Sequence, residues 1–575
     1  MIVPLQRKRW RVAEPISPDQ RALLGDHPPL LAQLLYNRGI RDCAQADEFL
    51  AGEFPAGQPF KLKGMMAAVA RIRRAILNGE LVAVYGDFDT DGVTATALLV
   101  EALTAAGACA MPYIPHRVDE GYGLNLEALR HLYRQGARLV ITVDCGIRSI
   151  EEVATAGRGL DLIVTDHHSP DEALPTATAV INPNQDGCAY PFKKLAGVGV
   201  AFKLAQAVYH DCRHDQRRAR PGGADVDDEA LLDLVALGTV ADVVPLVEEN
   251  RALVLRGLKR INDPAAELRP GIEALMANAS VRRGEVDAEA VAFRLGPRIN
   301  AAGRIDRAML AYELLTGSDP VETAELAARL GALNRERQEL TDEMVAEAER
   351  QVESDADAHL YLVGDADFNP GIVGLAASRL VENYYRPAIV VEVGEKYSRG
   401  SCRSIPEFHI TKALDQCRDL LVRHGGHEAA AGFTVRTQDL DVLRRRLQEI
   451  AAAKLAGVER RAALDVDAEV LLEEVGWDTL DMVRAVEPCG AENARPVLTS
   501  RGVIVMRRKV TSGGKHLSLV LRDGNGVAWD AIHFRQGAIA DHVPGRIDVA
   551  YTLGVREWNG NRRLQLTVED LRPAT

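Results

Sequence analysis

The sequence predicts an α/β protein of several domains: a parallel-sheet domain, a long helical connector, a smaller α/β domain and a C-terminal β-barrel. Three observations predict it. Between residues 81 and 168, apolar runs that read as strands alternate with helix-like segments, the pattern of a parallel sheet. Ala324 to Val352 is rich in helix formers with mixed charge and few breakers. Beyond about residue 460, short β-type runs recur between Gly-rich turns. The chain has 575 residues, too many for one core. The reading divides it into a helical lead-in (1–60), the sheet domain (61–265), the connector (266–355), the second α/β domain (356–458) and the barrel (459–575).

In the sheet domain each strand-like run ends in acids. Leu81-Val-Ala-Val-Tyr-Gly runs into Asp87, Asp89 and Asp91. Three carboxylates this close repel one another unless water or a cation neutralises them, and hard divalent ions prefer such oxygen ligands. The stretch also matches the start of an EF-hand loop, but its twelfth position is Leu98 rather than Glu and the preceding segment reads as a strand. Helix-like segments follow near Thr94–Ala105, Leu126–Gln135 and Ile150–Ala156. Between them, Leu139-Val-Ile-Thr-Val closes on Asp144-Cys-Gly, and Leu160-Asp-Leu-Ile-Val-Thr closes on Asp166-His167-His168. The apolar helix-like run from Leu231 delivers Asp242. Taken singly, each acid is an ordinary cap or turn residue and the two histidines are ordinary surface or core groups. Ligands of parallel sheets bind at the carboxyl ends of the strands, so all these groups can converge there. His210–Asp228 is polar and Arg-rich and reads as a solvated loop.

In the second α/β domain the alternation resumes at Leu360-Tyr-Leu-Val-Gly. Tyr385-Arg-Pro-Ala-Ile-Val-Val-Glu-Val reads as a central strand and Asp439–Leu455 as a closing helix. In the barrel, strand-like runs begin at Gly502, His516, Val527, Ile547 and Leu564. Five short strands fit an OB-fold, a common single-strand binder. Trp529, Phe534 and Trp558 are its stacking candidates, and Arg507, Arg508, Lys509 and Lys515 its backbone-binding candidates.

Gly-Asp-Phe-Asp-Thr-Asp-Gly (86–92), Val-Asp-Cys-Gly (143–146), Thr-Asp-His-His (165–168) and Gly-Thr-Val-Ala-Asp (238–242) resemble the four ordered motifs of the DHH phosphoesterase superfamily. Within it the chain is similar, over nearly its whole length, to the RecJ branch of single-strand-specific DNA exonucleases. Residues 356–458 look like the DHHA1 domain. The resemblance implies metal-dependent 5′→3′ hydrolysis of single-stranded DNA to 5′-mononucleotides, in recombination and repair. It implies two Mn²⁺ or Mg²⁺ ions, with Asp144 bridging them, Asp89 facing the first, and Asp91, His167 and Asp242 facing the second. Asp87 is then a further ligand or an orienting acid, Asp166 orients a histidine, and His168 contacts the scissile phosphate. Some relatives carry a His ligand where this chain has Tyr85, a weaker donor. Arg304, in Asn-Ala-Ala-Gly-Arg, resembles a substrate-binding position. Ser401 and Arg403, with Arg117, resemble a pocket for the terminal 5′ phosphate. His427, in Gly-Gly-His, faces the active site by the same resemblance. Implied partners are a single-strand-binding protein and a RecQ-type helicase, with the protein itself a monomer. The alternatives are an oligoribonuclease or cyclic-dinucleotide phosphodiesterase of the same superfamily, a pyrophosphatase, or a binding scaffold with a decayed site. The C-terminal β-rich region weighs against the small-substrate enzymes, and the intact motifs weigh against decay.

Composition agrees with a soluble globular chain, 47% hydrophobic and 26% charged. No apolar run reaches membrane-spanning length, and the N-terminus lacks a signal-peptide apolar core. The eight cysteines are scattered without a Cys-x-x-Cys pair, as in a reduced, cytoplasmic protein. The net charge of −13 does not exclude a nucleic-acid partner, which needs local positive charge. There is no Walker-A sequence, so unwinding would fall to another protein.

Overall fold

The computed structural model describes residues 8–54, 57–116, 120, 123–214, 227–355, 357–459, 461–511, 513–524, 526–558 and 561–574. The chain forms two compact units. One comprises Gln58–Asp242 and Gly257–Arg460, the other Met1–Gly57, Val243–Arg256 and Arg461–Thr575.

The first unit opens with a five-stranded, all-parallel sheet: β1 (Leu81–Gly86), β2 (Cys109–Tyr113), β3 (Ala137–Val143), β4 (Asp161–Thr165) and β5 (Ala179–Ile181). The strand order is β2-β1-β3-β4-β5. β1 and β3 are buried along almost their whole length, which their unbroken apolar sequences require. The order reverses between β1 and β3, so their carboxyl ends splay apart and leave a crevice there. Helix α1 (Thr90–Ala105) follows β1 directly; Asp89 caps it by accepting from Gly92 N at 3.1 Å. Helices α2 (Gly197–His214) and α3 (Leu232–Ala241) pack against α1. The loop expected at His210–Asp228 starts later, since α2 runs on through His214; residues 215–226 lie outside the described set.

Helix α4 (Gly296–Ile305) carries Arg304, and α5 (Pro320–Glu353) is the long helix foreseen from Ala324 to Val352. Its 34 residues span about 50 Å. Pro320 at its first position and Asp319, which accepts from Val321 N and Glu322 N, start it. The second sheet is mixed: β6 (Tyr361–Asp365), β7 (Ala388–Glu392), β8 (Tyr397–Arg403), β9 (Leu421–Gly426) and β10 (Ala430–Arg436), in the order β9-β10-β8-β7-β6. Helix α6 (Val373–Tyr384) packs over β7 and β8, and its Ala376, Ala377 and Leu380 share one core with Val363, Ala388 and Val390.

In the other unit β11 (Leu498–Val510), β12 (Leu517–Arg522), β13 (Ala528–His533), β14 (Arg546–Trp558) and β15 (Asn561–Pro573) form a barrel. The order β11-β12-β13-β15-β14 closes because β14 also pairs with β11. Closure removes the exposed edges an open sheet would carry. The N-terminal residues join this unit: Arg9–Val12 pairs in parallel with Ala463–Val466, a strand the sequence reading did not anticipate.

The barrel requires one correction. Trp529 is only 8% exposed, packs in the core, and donates its indole N–H to Leu472 O at 3.2 Å. It is a core residue and cannot stack a base. Phe534 is 54% exposed and meets the His516 ring edge-on. Arg507, Arg508, Lys509 and Lys515 are exposed, although Arg508 Nη1 donates to Val543 O. Trp558 ends β14, and its side chain lies outside the described residues.

Candidate metal centre

The acids gather at the carboxyl ends of β1, β3 and β4, in the crevice set by the strand order. Asp144 follows β3 with φ 61°, a left-handed conformation that an Asp tolerates better than a bulky residue. Thr142 Oγ1 donates to Cys145 O at 2.7 Å and ties this turn down. Backbone strain of this kind collects at functional sites.

His167 Nε2 lies 3.1 Å from Asp144 Oδ1, 3.6 Å from Asp242 Oδ2 and 4.0 Å from Asp91 Oδ2. The 3.1 Å approach lacks hydrogen-bond geometry. His167 Nε2, Asp144 Oδ1 and Asp242 Oδ2 are all buried, and none makes a hydrogen bond among the described residues. Buried polar atoms are ordinarily paired, so three ligand atoms converging without bonds fit a cation between them. Three overlapping groups could hold an ion: Asp87, Asp89 and Asp144; Asp91, His167 and Asp242; Asp144, His167 and His168. Asp144 thus reaches both the Asp87–Asp89 side and the His167 side. Asp242 ends α3, where a carboxylate opposes the helix dipole. Its position makes sense for a ligand and not for a stabilising cap.

The supporting contacts fix each group. Gly197 N and Val198 N, at the start of α2, donate to Asp91 Oδ2 and Oδ1 at 2.7 and 2.8 Å. Asp166 is not at the centre of the cluster. Its Oδ1 accepts from His167 N, His168 N and His168 Nδ1 (2.7, 3.0 and 2.8 Å), and its Oδ2 from Ile147 N (3.0 Å). Asn182 and Asn184, just past β5, donate to His168 O and His167 O at 2.8 and 2.7 Å. Asn300 on α4 accepts from Thr90 N and Thr90 Oγ1 at 2.8 and 3.0 Å, locking α4 to the first turn of α1. Sequence reasoning missed Gly197, Val198, Asn182, Asn184 and the role of Asn300; the Ala-Gly-Val-Gly run at 196–199 was the available signal. Tyr85 turns away from the acids. It is fully buried and donates its hydroxyl to Gly123 O at 3.0 Å, beside Tyr113.

Burial and the neighbouring carboxylates raise Asp91, Asp144 and Asp242 above the usual range, Asp91 to about 7. Burial, with the nearby His168, pushes His167 down to about 4, so its imidazole is neutral and free to ligate. A hydrogen bond to the Leu195 backbone also holds that ring. His168 is raised: burial opposes its charge, but the hydrogen bond and charge of Asp166 outweigh it. A cationic His168 suits a phosphate oxygen.

These shifts fix a sign. Raised carboxyls bind more protons folded than unfolded at pH values between the unfolded carboxylate range, about 4, and the folded values. The metal-free protein therefore loses stability as pH rises through that window. Expected in chelator is a melting temperature lower at about pH 8 than at about pH 5.5, with Mn²⁺ raising it more at the higher pH. Equal effects of Mn²⁺ at both pH values would speak against metal binding to these acids.

In the second sheet, Ser401 and Arg403 lie two residues apart on β8 and share a face. Arg403 Nη1 donates to Ser401 Oγ at 3.3 Å. They border the start of α6: a Cβ at Gly374 would lie 3.1 Å from Ser401 Oγ and 3.3 Å from Arg403 Nη2. Arg304 Nη1 donates to Gly371 O at 3.0 Å, just before the same helix. Two arginines, a hydroxyl and helix-start N–H groups are donors of the kind that suit an anion. His427 stands exposed in the β9–β10 turn, held through its backbone by Ala430 O and Thr411 Oγ1. Arg117 lies outside the described residues.

Comparison with known proteins agrees with this architecture. Residues 81–239 match the DHH family, N-terminal domain, residues 357–453 the DHHA1 domain, and residues 466–570 the RecJ OB domain. A single-stranded-DNA-specific exonuclease RecJ of Bacillus subtilis is 38% identical over 98% of this chain and 71% of its own length. That of Escherichia coli is 35% identical over 95% of this chain and 96% of its own. The crystal structure of RecJ in complex with Mn²⁺ from Thermus thermophilus superposes with a TM-score of 0.83 at 30% identity, covering 99% of this chain and 80% of that one. The Mg²⁺ complex from the same organism gives 0.78, also at 30% identity, over 99% and 79%.

Proposed function

The chain belongs to the RecJ family of single-stranded-DNA-specific exonucleases, and we propose on that footing that it hydrolyses single-stranded DNA from the 5′ end, releasing 5′-mononucleotides. The observation that carries the mechanism is the position of Asp144, whose carboxylate is common to two groups of ligand atoms. Asp87 and Asp89 would hold one ion with Asp144, and Asp91, His167 and Asp242 the other. Oxygen and imidazole donors suit Mn²⁺ or Mg²⁺. Such a pair supplies an activated water and neutralises charge on the phosphate.

The chain's own residues do the rest. Asp166 aims the His168 ring and favours its charged form, which would stabilise the phosphate's developing negative charge. Gly197 N and Val198 N keep Asp91 from turning away. Ser401 and Arg403, with Arg304 and Arg117, receive the terminal 5′ phosphate, and His427 approaches the same substrate. An interior phosphodiester cannot fill a pocket that closes on a chain end, which accounts for exonuclease action. Arg507, Lys509 and Lys515 offer the barrel's contacts to the strand. A phosphodiesterase for cyclic dinucleotides would have no use for that barrel.

Partners would be a single-strand-binding protein and a RecQ-type helicase, in cytoplasmic recombination and repair, with the enzyme acting as a monomer. Among the described residues no helix is long and apolar enough to cross a membrane.

The reading is tested with Mn²⁺ and labelled oligonucleotides, single-stranded or duplex, carrying a 5′ phosphate or a blocked 5′ end. Mononucleotides are expected only from single strands with a free 5′ end. Cleavage confined to very short oligomers would overturn it. Arg403→Ala should raise KM for 5′-phosphorylated strands about 10- to 100-fold, the worth of a charged hydrogen bond, and erase the preference for that phosphate. An unchanged preference would remove Arg403 from the pocket.

A further inference from the structure

The metal centre and the proposed phosphate pocket are joined through one short run of backbone, and we propose that the last turn of α4 is a spacer that sets their separation, with Gly303 and Gly371 as its positioning residues. The proposal rests on the exonuclease reading and adds to it that seating the terminal phosphate raises the rate of cleavage and not only the affinity. Adjacent residues of α4 touch the two sites. Gly303 lies against the carbonyl of Phe88, the residue between Asp87 and Asp89; a Cβ there would overlap Phe88 O and lie 3.3 Å from Phe88 Cβ. The next residue, Arg304, presents its carbonyl to Gly371, where a Cβ would lie 2.6 Å from Arg304 O. Arg304 Nη1 donates back to Gly371 O at 3.0 Å. Further along, Gly374 borders Ser401 Oγ and Arg403 Nη2. The route from metal ligands to phosphate donors therefore runs from Phe88 to Gly303 and from Arg304 to Gly371, across a single peptide bond.

Each part of that route is held. Gly296, Asn300 and Gly303 recur at helical spacing on one face of α4. Gly296 O accepts from Thr90 Oγ1 at 3.3 Å and Asn300 Oδ1 from Thr90 N at 2.8 Å, which pins that face to the first turn of α1. A Cβ at Gly296 would lie 3.3 Å from that of Ala241, the neighbour of Asp242. Helix α5 packs against both α4 and α6. Its Arg329 pairs at 2.7 Å with Asp306, just past α4. On the phosphate side, Asn369 Oδ1 accepts from Gly371 N at 2.8 Å, and Asn369 O from Ile372 N and Val373 N at 3.0 and 3.2 Å, fixing the turn before α6.

Backbone conformation does not explain the two glycines, since neither has a positive φ. Within a helix, glycine is less stable than alanine. Both positions instead need two backbones to approach closely. Contacts of that kind suit a distance that must not vary. Successive phosphates of a strand are a fixed number of bonds apart. A seated terminal phosphate therefore brings the next phosphodiester to the ions only if the gap between pocket and ions is constant. Displacements near 1 Å at the reacting atoms cost about a hundredfold.

The test uses the full chain and the variants Gly303→Ala, Gly371→Ala and Asn369→Ala, the last of which loosens the same turn by removing atoms. Affinity for single strands of equal length with a 5′ phosphate or a 5′ hydroxyl is read by fluorescence anisotropy in chelator. The kcat on each is read at saturation in Mn²⁺. In the wild type the 5′ phosphate should raise kcat about tenfold or more as well as tightening binding. In each variant the affinity ratio of the two strands should stay as it was, while the kcat ratio falls toward one. General damage to the fold or the metal site lowers kcat on both strands alike, so an unchanged kcat ratio overturns the proposal. A wild-type kcat that ignores the 5′ phosphate also overturns it, as does loss of the affinity ratio in the variants, which would place these residues in the pocket itself. Where the added methyl groups prevent folding, Asn369→Ala decides alone. A wild type that cleaves no single strand overturns the exonuclease reading and the spacer with it; a wild type that cleaves while the variants keep its kcat ratio overturns the spacer alone.

Discussion

Asp144→Ala is expected to lower kcat on single-stranded DNA by at least about a thousandfold while leaving strand binding intact. The physical ground is that one carboxylate serves two groups of ligand atoms. A metal ion contributes several kcal/mol of transition-state stabilisation, and each 1.4 kcal/mol is about a factor of ten, so weakening both ions at once removes at least about three powers of ten. Binding is spared because the phosphate corner at Ser401 and Arg403 and the exposed basic residues lie elsewhere on the fold. Asp144→Asn separates charge from shape. Neutralising a buried acid among four others should raise the melting temperature of the metal-free protein while still abolishing cleavage. Retained hydrolysis in either variant would remove the bridging role.

Gly197→Ala is expected to cost about a hundredfold in kcat, although the residue has no side chain to offer the reaction. A Cβ there would lie 2.6 Å from Asp144 Cβ and 2.8 Å from its Cγ and Oδ1. Contacts that short must relax, and relaxation moves either Asp144 or the start of α2. Moving α2 shifts the two N–H groups that hold Asp91. Displacements near 1 Å at catalytic groups cost about a hundredfold. Circular dichroism and melting near wild type, together with a lower affinity for Mn²⁺, would mark a positioning effect. Full activity in this variant would show that the acids tolerate such movement and that Gly197 does not position them.

How much of this was legible in the sequence depended on the kind of signal. β1, β3 and β4 could be read because they are buried apolar runs, and their acids because each run ends in one. β2 was not read: it contains Pro112 and is an edge strand with no fully buried position. β5 has three residues, too few for a pattern. That hid Asn182 and Asn184, which follow it and fix the two histidines. Gly197 and Val198 act through backbone N–H groups, which any residue but proline supplies, so no side-chain motif announces them. Trp529 sits in Val-Ala-Trp-Asp-Ala-Ile-His-Phe, apolar at both parities, so alternation cannot tell the inward face from the outward one. The structure resolves it: Trp529, Ala531 and His533 point inward. Tyr85, flagged as a poor stand-in for a ligand, proves to be packed beneath the sheet with its hydroxyl committed to Gly123.

Asp144 is the group proposed to join two metal ions in one hydrolytic site. Anomalous scattering from crystals grown with Mn²⁺ tests it most directly. Two peaks about 3.5–4 Å apart are expected with Asp144 between them, one beside Asp87 and Asp89 and the other beside Asp91, His167 and Asp242. A single peak, or two peaks with Asp144 bound to neither or only one, would contradict it.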